Sequence, residues 1–346
     1  MANPILIEVT RGPLLESWHR GAVAVASASG AMALQLGDVV QPIFPRSSIK
    51  ALQALPLIES GAADRYGFGP SEIALASGSH TGTDHHTRLA AAMLERIGLK
   101  EEALGCGAHA PLGGSALKAL YETQREPTQL HNNCSGKHAA MLATALHLGL
   151  QTDGYWEVDH PVQQRVRQVL IDISGVTLGP EVQGFDGCSL PNWAMPLSAL
   201  ARMFARFATG DGLTPERRIA IERILAACWE HPELVAGKGC ADTVVMREFP
   251  GQVFMKTGAE GVYCGAFPKL GLGFALKIDD GTKRAAAGAA MALVERFYPA
   301  ALGLMNRKSI RTWLGVEVGT IRSSAEYEIA LGGLKTYAAA NSRYWR

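Results

Sequence analysis

The sequence predicts an α+β fold: an antiparallel sheet built from the N- and C-terminal segments and packed with helices, plus an inserted all-helical subdomain. Strand-period runs are confined to the two ends of the 346-residue chain, and helix-period runs fill the middle. Composition agrees. Apolar residues make up 47% of the chain and aromatic residues only 7%, while 38 glycines and recurring alanine tracts suit closely packed helices and tight turns rather than a β-sandwich. One unit over residues 1–346 is expected, with approximately 1–60 and 240–346 as its sheet part and approximately 61–239 as its mostly helical part.

The elements follow in order. Ile5 to Thr10 reads as a strand, and Ala22 to Ser27 and Ala31 to Leu36 read as a hairpin across the Ser29-Gly30 turn. From Ser47 the period becomes helical, with Ile49, Leu52 and Leu55 on one face until Pro56 interrupts. Helices are expected at Thr87 to Ile97, Gly114 to Thr123, Ser135 to Leu148, Pro161 to Ile173, Leu197 to Ala208 and Pro215 to Trp229, several opened by Ser, Thr or Pro. Val253 to Lys256, Gly261 to Phe267 and Leu270 to Ile278 return to strand character, and the alanine-rich Thr282 to Phe297 reads as a helix. Residues 309–346 give no decisive pattern.

Charge and segment lengths exclude whole classes of function. Thirty-three basic against thirty-two acidic residues leave a net charge of +1, so no global field draws the chain to nucleic acid. No apolar run spans a bilayer and the first residues lack a secretory pattern, so the expected setting is cytoplasmic, with no membrane partner. Six cysteines without framework spacing then read as reduced thiols.

Ser47 and Lys50 stand three apart at a strand-to-helix junction, a spacing that places an amine beside a hydroxyl. A serine hydroxyl needs a base before it attacks, and a desolvated lysine is neutral enough to serve. Ser48 leaves the pairing ambiguous. Lys256-Thr257-Gly258 at a strand end is the context that borders the acyl-transfer pocket of penicillin-recognising serine enzymes. The Ser-Asp-Asn element of those enzymes is absent, and Ser79 in Ser77-Gly78-Ser79-His80 is the available substitute, its small neighbours implying a close backbone approach to a ligand.

Two loops carry thiols. His131-Asn132-Asn133-Cys134-Ser135-Gly136-Lys137-His138 runs straight into a helix, whose start favours a thiolate. Gly184-Phe185-Asp186-Gly187-Cys188 is Gly-punctuated and sets a second Cys beside an Asp. Two Cys with His138, Lys137 or Asp186 make a four-coordinate zinc site conceivable, though buried structural cysteines explain the spacing as well. Adjacent His85 and His86 face apart on a helix and read as surface residues. Cys240, in a Gly-rich turn, is a further candidate for a pocket wall.

Together these strings resemble the rhizobial-type L-asparaginases, the asparaginase II family that shares the serine β-lactamase and glutaminase fold. The resemblance runs from Glu8-Val9-Thr10-Arg11-Gly12 through Pro45-Arg46-Ser47, Ser77-Gly78-Ser79-His80, the Cys134 loop and Asp159-His160-Pro161 to Asp186-Gly187-Cys188 and Lys256-Thr257-Gly258-Ala259-Glu260-Gly261. It implies hydrolysis of L-asparagine by two Ser–Lys couples, Ser47 with Lys50 and Ser79 with Lys256. It also implies Zn2+ held at Cys134, Lys137 and Cys188, and a homodimer. Arg46, His80, Lys137, Asp186 and Cys240 are the substrate-binding residues expected. A lysine ligand must be the neutral amine, so such a metal binds more weakly in acid. One departure stands out: Thr83-Asp84 follows Gly82 where the family usually has Glu.

The mechanism these readings imply is attack by Ser47, deprotonated by Lys50, on the side-chain amide carbon, with an ester intermediate that water resolves. Two alternatives remain open: a penicillin-binding or β-lactamase-like acyl hydrolase, and a non-catalytic, metal-dependent amino-acid-binding protein.

Overall fold

The computed structural model describes residues 2–304 and 309–340. They form two compact units: residues 1–48, 195–211 and 252–346 in one, and 49–194 with 212–251 in the other. The boundaries expected near residues 60 and 240 thus fall at Ser48/Ile49 and Gly251/Gln252. Residues 341–346 of the unassigned tail lie outside the described residues. No helix among the described residues is long and apolar enough to cross a membrane.

The first unit is built on an eight-stranded antiparallel sheet. Its order is Ser309–Arg311, Glu317–Ser323, Ile5–Arg11, Leu14–Ser27, Leu272–Ile278, Val262–Phe267 and Phe254–Thr257, with Met32–Leu36 also paired to Leu14–Ser27. The two chain ends therefore share one sheet, as the sequence predicts. Val23 to Ala26 are buried on both faces, which is why that run is continuously apolar rather than alternating. Gly273 turns toward helix Leu197–Thr209 so closely that a Cβ there would meet the Ala201 carbonyl oxygen at 2.2 Å. The next residue, Phe274, points to the other face and stacks on Phe267, which meets Phe297 of helix Lys283–Phe297. Helix Leu197–Thr209 was expected in the helical part. It belongs instead with the sheet, because its Leu200, Ala201, Phe204 and Ala205 stripe is buried there.

The tail that gave no pattern supplies two strands, Ser309–Arg311 and Glu317–Ser323, and helix Ala325–Ala340. Short strands take their face from their partners, and the Ile7↔Ser323 and Val9↔Ile321 pairing defines these.

The second unit is mostly helical, with main helices Pro70–Ala76, Asp84–Arg96, Gly114–Glu122, Ser135–His147, Pro161–Ser174, Pro215–Glu230 and Ala241–Glu248. It is not all-helical. Gln183–Phe185 pairs with Pro191–Trp193 as a short antiparallel ribbon whose turn carries Asp186 and Cys188. The continuous helix expected from Ser47 is broken into a 3-10 turn, Arg46–Ile49, and helices Lys50–Gln53 and Leu55–Glu59. Pro56 sits in the first turn of the last of these, where its missing N–H costs nothing. Ser135–His147 is buried from Ser135 to Ala145, and Gly136 lets it approach Leu75, whose Cγ a Cβ would meet at 2.5 Å.

Candidate active site

In the sheet unit, Ser47 lies in the Arg46–Ile49 turn immediately after Arg46, whose φ of 53° is left-handed and strained for a non-glycine residue. Ser48 is fully buried; its hydroxyl donates to Pro45 O at 2.7 Å and shares a hydrogen bond with the Cys264 thiol. Ser47 is half-buried. Of the two hydroxyls, Ser48 is committed inside the fold, and Ser47 is the less buried.

Lys256 is fully buried on the Phe254–Thr257 strand, directly across from Cys264, and its Nζ donates to Thr257 O at 3.0 Å. Gly258 follows, and its N–H donates to Val262 O at 2.8 Å. An added Cβ would lie 2.8 Å from Pro45 O, so the strand end and the turn carrying Ser47 are in direct backbone approach.

The helical unit holds Lys50, which is fully buried. Its Nζ donates to Gly78 O at 2.7 Å and to Asn133 O at 3.0 Å. Burial pushes its pKa down, with Cys134 pulling the other way and Lys137 adding to the fall. Two of its N–H bonds are thus directed at backbone carbonyls.

Ser79 follows helix Pro70–Ala76, and its N–H donates to Val235 O at 2.7 Å. The small residues beside it permit this contact: a Cβ on Gly78 would meet Leu234 O at 2.3 Å. His80 is fully buried and its ring is engaged at both nitrogens. Ser135 Oγ donates to Leu130 O at 3.1 Å, so it accepts from His80 Nε2–H at 2.9 Å, while Nδ1 accepts the Gly82 N–H at 3.2 Å. Burial, then His86 and Lys50, hold its pKa well below the ordinary range, so the ring is neutral in this tautomer.

His86 is not a surface residue, as its adjacency to His85 suggested. It is 4% exposed, stacks on His80 at 4.9 Å and reaches Glu233 O at 3.1 Å, because helix Asp84–Arg96 begins three residues earlier than expected and turns it inward. Thr83-Asp84, the departure from the family pattern, is that helix's start: the Thr83 N–H donates to His86 Nδ1 at 3.2 Å.

Cys134 is the N-cap of Ser135–His147, and Lys137 lies three residues on, on the same face. Cys188 comes from the ribbon turn, next to Ser189 with φ of 70°. Lys137 Nζ donates to Cys188 Sγ at 3.5 Å, the Cys134 and Cys188 thiols share a hydrogen bond, and all three side chains are buried. That hydrogen bond pulls the Cys188 pKa down to about 5 and, with burial, pushes Cys134 up to about 12. Burial alone would depress Lys137, but Cys188, Cys134 and Asp186 raise its pKa above the ordinary value. Asp186 also accepts from Asn192 Nδ2 at 2.9 Å.

Among the described residues no group of three or more His, Cys, Asp and Glu is arranged for a metal ion. Two thiols and an amine nevertheless suit zinc: tetrahedral ligands to one ion stand about 3.5 Å apart. The Lys137 Nζ to Cys188 Sγ separation of 3.5 Å fits that spacing. Cys240 is the N-cap of Ala241–Glu248, and its Sγ donates to Ala236 O at 3.3 Å.

Residue-type reasoning missed Asn132 and Tyr155. Tyr155 accepts the Gly105 N–H at 2.9 Å and so donates to His138 Nδ1 at 2.6 Å. The signal for Asn132 was present: an Asn two residues before a helix N-cap commonly bonds the backbone ahead of it.

No curated protein matches this chain. Among solved structures it is similar to Mglu in its native form, at 14% identity and a TM-score of 0.42, covering 84% of this chain and 63% of that one. It is also similar to a β-lactamase from Mycobacterium bovis (13%, TM-score 0.38, covering 82% and 93%). A third is simvastatin synthase, LovD, from Aspergillus terreus (12%, TM-score 0.39, covering 82% and 92%). The chain thus spans less than two thirds of the length of Mglu, and likeness at this level says nothing of chemistry. The profile of L-asparaginase II matches residues 7–323, nearly the whole chain, and the protein therefore belongs to the L-asparaginase II family.

Proposed function

We propose that this protein is an L-asparagine amidohydrolase that releases L-aspartate and ammonia through an ester formed on Ser47. The observation that carries the reading is Lys50, three residues along the chain, fully buried and with its Nζ donating to two backbone carbonyls. Burial lowers its pKa, which is the direction a general base requires.

Lys50 takes the Ser47 proton as Oγ attacks the side-chain amide carbon of asparagine. The negative charge that develops on the amide oxygen falls to backbone N–H groups of the Ser47 turn and of the Phe254–Thr257 strand, which ends the sheet and has outward-facing edge groups. The second couple, Ser79 with Lys256, relays the proton that Lys50 took from Ser47 to the departing nitrogen, so that ammonia leaves and Lys50 is again a free amine. Water, deprotonated by the same base, then attacks the ester, and the proton returned to Ser47 frees aspartate. Arg46 and Asp186 would meet the substrate carboxylate and ammonium, while His80 supports the Ser79 segment from within the fold.

Cys134, Lys137 and Cys188 would hold a zinc ion, which when bound supplies a fixed positive charge for orienting the substrate. The family resemblance further supports a cytoplasmic homodimer. The deciding experiment measures ammonia release from asparagine and from glutamine, with and without chelator, beside turnover of a chromogenic β-lactam. Ammonia from asparagine is expected. β-Lactam turnover without ammonia, or asparagine binding without turnover, overturns the reading.

A further inference from the structure

We infer that Asn132 is a positioning residue for the reaction, holding the peptide plane between Asn133 and Cys134 that receives the Lys50 side chain. This rests on the reading of Lys50 as the base that activates Ser47.

That plane is gripped at both of its polar ends. Its carbonyl, Asn133 O, accepts from Lys50 Nζ at 3.0 Å, and its N–H, on Cys134, donates to Asn132 Oδ1 at 2.8 Å. The Asn132 carboxamide is in turn fully used: Nδ2 donates to Cys106 O at 2.8 Å and to Gly107 O at 2.9 Å. These bonds also settle which end of the amide is oxygen, since a flipped group would set oxygen against two carbonyls. Asn132 is 3% exposed, so water is not available to replace any of the three bonds.

A second bond holds the neighbouring plane. The Asn133 N–H donates to His109 Nε2 at 3.0 Å, and His109 Nδ1–H donates to Ala110 O at 2.7 Å. Segment 105–111 is therefore a strap whose backbone and one imidazole clamp residues 132–134 from behind. A row of aligned amide dipoles runs from the Cys106 and Gly107 carbonyls through the Asn132 side chain and the Asn133 carbonyl to the Lys50 amine, and hydrogen bonds in such a row strengthen one another. Without the Asn132 acceptor the plane is free to rotate about its flanking bonds. Asn133 O then leaves the position that orients one Lys50 N–H, and with it the placement of the Lys50 amine.

Loss of orientation should act on the chemical step and leave substrate binding alone, because misplacement near 1 Å at a reacting group costs up to about a hundredfold in rate. The test compares Asn132→Ala, which removes the acceptor, with Asn132→Asp, which keeps an oxygen toward the Cys134 N–H, in the full chain on asparagine. The Ala variant is expected to lose about tenfold or more in kcat with KM within about threefold, and the Asp variant to recover most of that loss despite a lowered melting temperature. A folded Ala variant with unchanged kcat, or Ala and Asp variants equally slow, overturns the inference. Should the Ala variant not fold, His109→Ala tests the same clamp from the Asn133 side, where a folded protein with unchanged kcat is equally fatal. Ser47→Ala serves as the control: if it stays active, the reading of Ser47 and Lys50 has failed, whatever Asn132 does.

Discussion

Gly258 and Pro45 are in backbone approach, with a Cβ on Gly258 falling 2.8 Å from the Pro45 carbonyl oxygen. Pro45 precedes the strained Arg46 and then Ser47, and Gly258 follows the strand of Lys256, so this one contact sets the spacing of two segments to which the proposed mechanism assigns chemistry. Neither backbone atom can swing away as a flexible side chain would. Gly258→Ala is therefore expected to displace the Ser47 turn, lowering kcat/KM at least about tenfold for a stability loss of about 1–3 kcal/mol. Kinetics and thermal melting on the same preparation check it; full activity would show that the turn relaxes without consequence.

Ser47→Ala should abolish turnover, by a factor of about a thousand or more, with the melting temperature nearly unchanged because the hydroxyl is half-buried and Ser48 makes the structural bonds of the turn. Ser48→Ala should do the reverse, lowering stability by about 1 kcal/mol through the loss of its bond to Pro45 O. The pair of variants separates nucleophile from scaffold, and equal effects on rate would contradict the assignment.

His80 and His86 are both held below the ordinary histidine pKa, chiefly by burial. Above about pH 6.5 neither state of the protein binds a proton at these rings, so they contribute no pH dependence. Below it the unfolded chain takes protons that the native chain refuses, and native stability falls by about 1.4 kcal/mol per pH unit for each histidine until the folded pKa is reached. Urea unfolding at pH 7.5 and pH 5.5 measures this. His86→Gln should flatten the slope, and a native state equally stable at both values would show that these rings are not buried neutral.

Cys188 receives both the Lys137 amine at 3.5 Å and the hydrogen bond of the Cys134 thiol, so it is the central member of the proposed zinc set. Cys188→Ser should reduce the zinc content of purified protein from about one per chain to near zero, read by elemental analysis rather than by activity. Because a lysine must lose its proton to bind a metal, zinc retention in the unaltered protein should also fall as the buffer is moved from pH 8 to pH 6. Zinc held equally by the Ser variant would remove Cys188 from the set.

Much of this was readable along the chain. The Ala22 to Leu36 hairpin, the helices of the middle segment and the final hairpin of strands all announce themselves through period and turn residues, because those signals act over a few neighbours. The Ser47, Lys50, Cys134 and Cys188 strings were legible for the same reason, as contiguous motifs with residue types that suit one chemistry. The inward turn of His86 was not, since it depends on a helix starting at Asp84 rather than at Thr87. The placement of helix Leu197–Thr209 on the sheet was equally hidden, because an apolar stripe states that a face is buried and not what buries it.

By itself, then, the amino-acid order determined which segments are strands and helices and which side chains are chemically able to act. Tertiary structure decided the solvation and direction of those side chains. Burial depresses Lys50, the carbonyls of Gly78 and Asn133 direct its N–H bonds, and Asn132, which bonds the Cys134 N–H of the Asn133 peptide plane, is itself anchored on a strap more than twenty residues away. The physical reason is that desolvation and hydrogen-bond geometry are properties of surroundings, and surroundings contributed by distant segments exist only once the chain has folded.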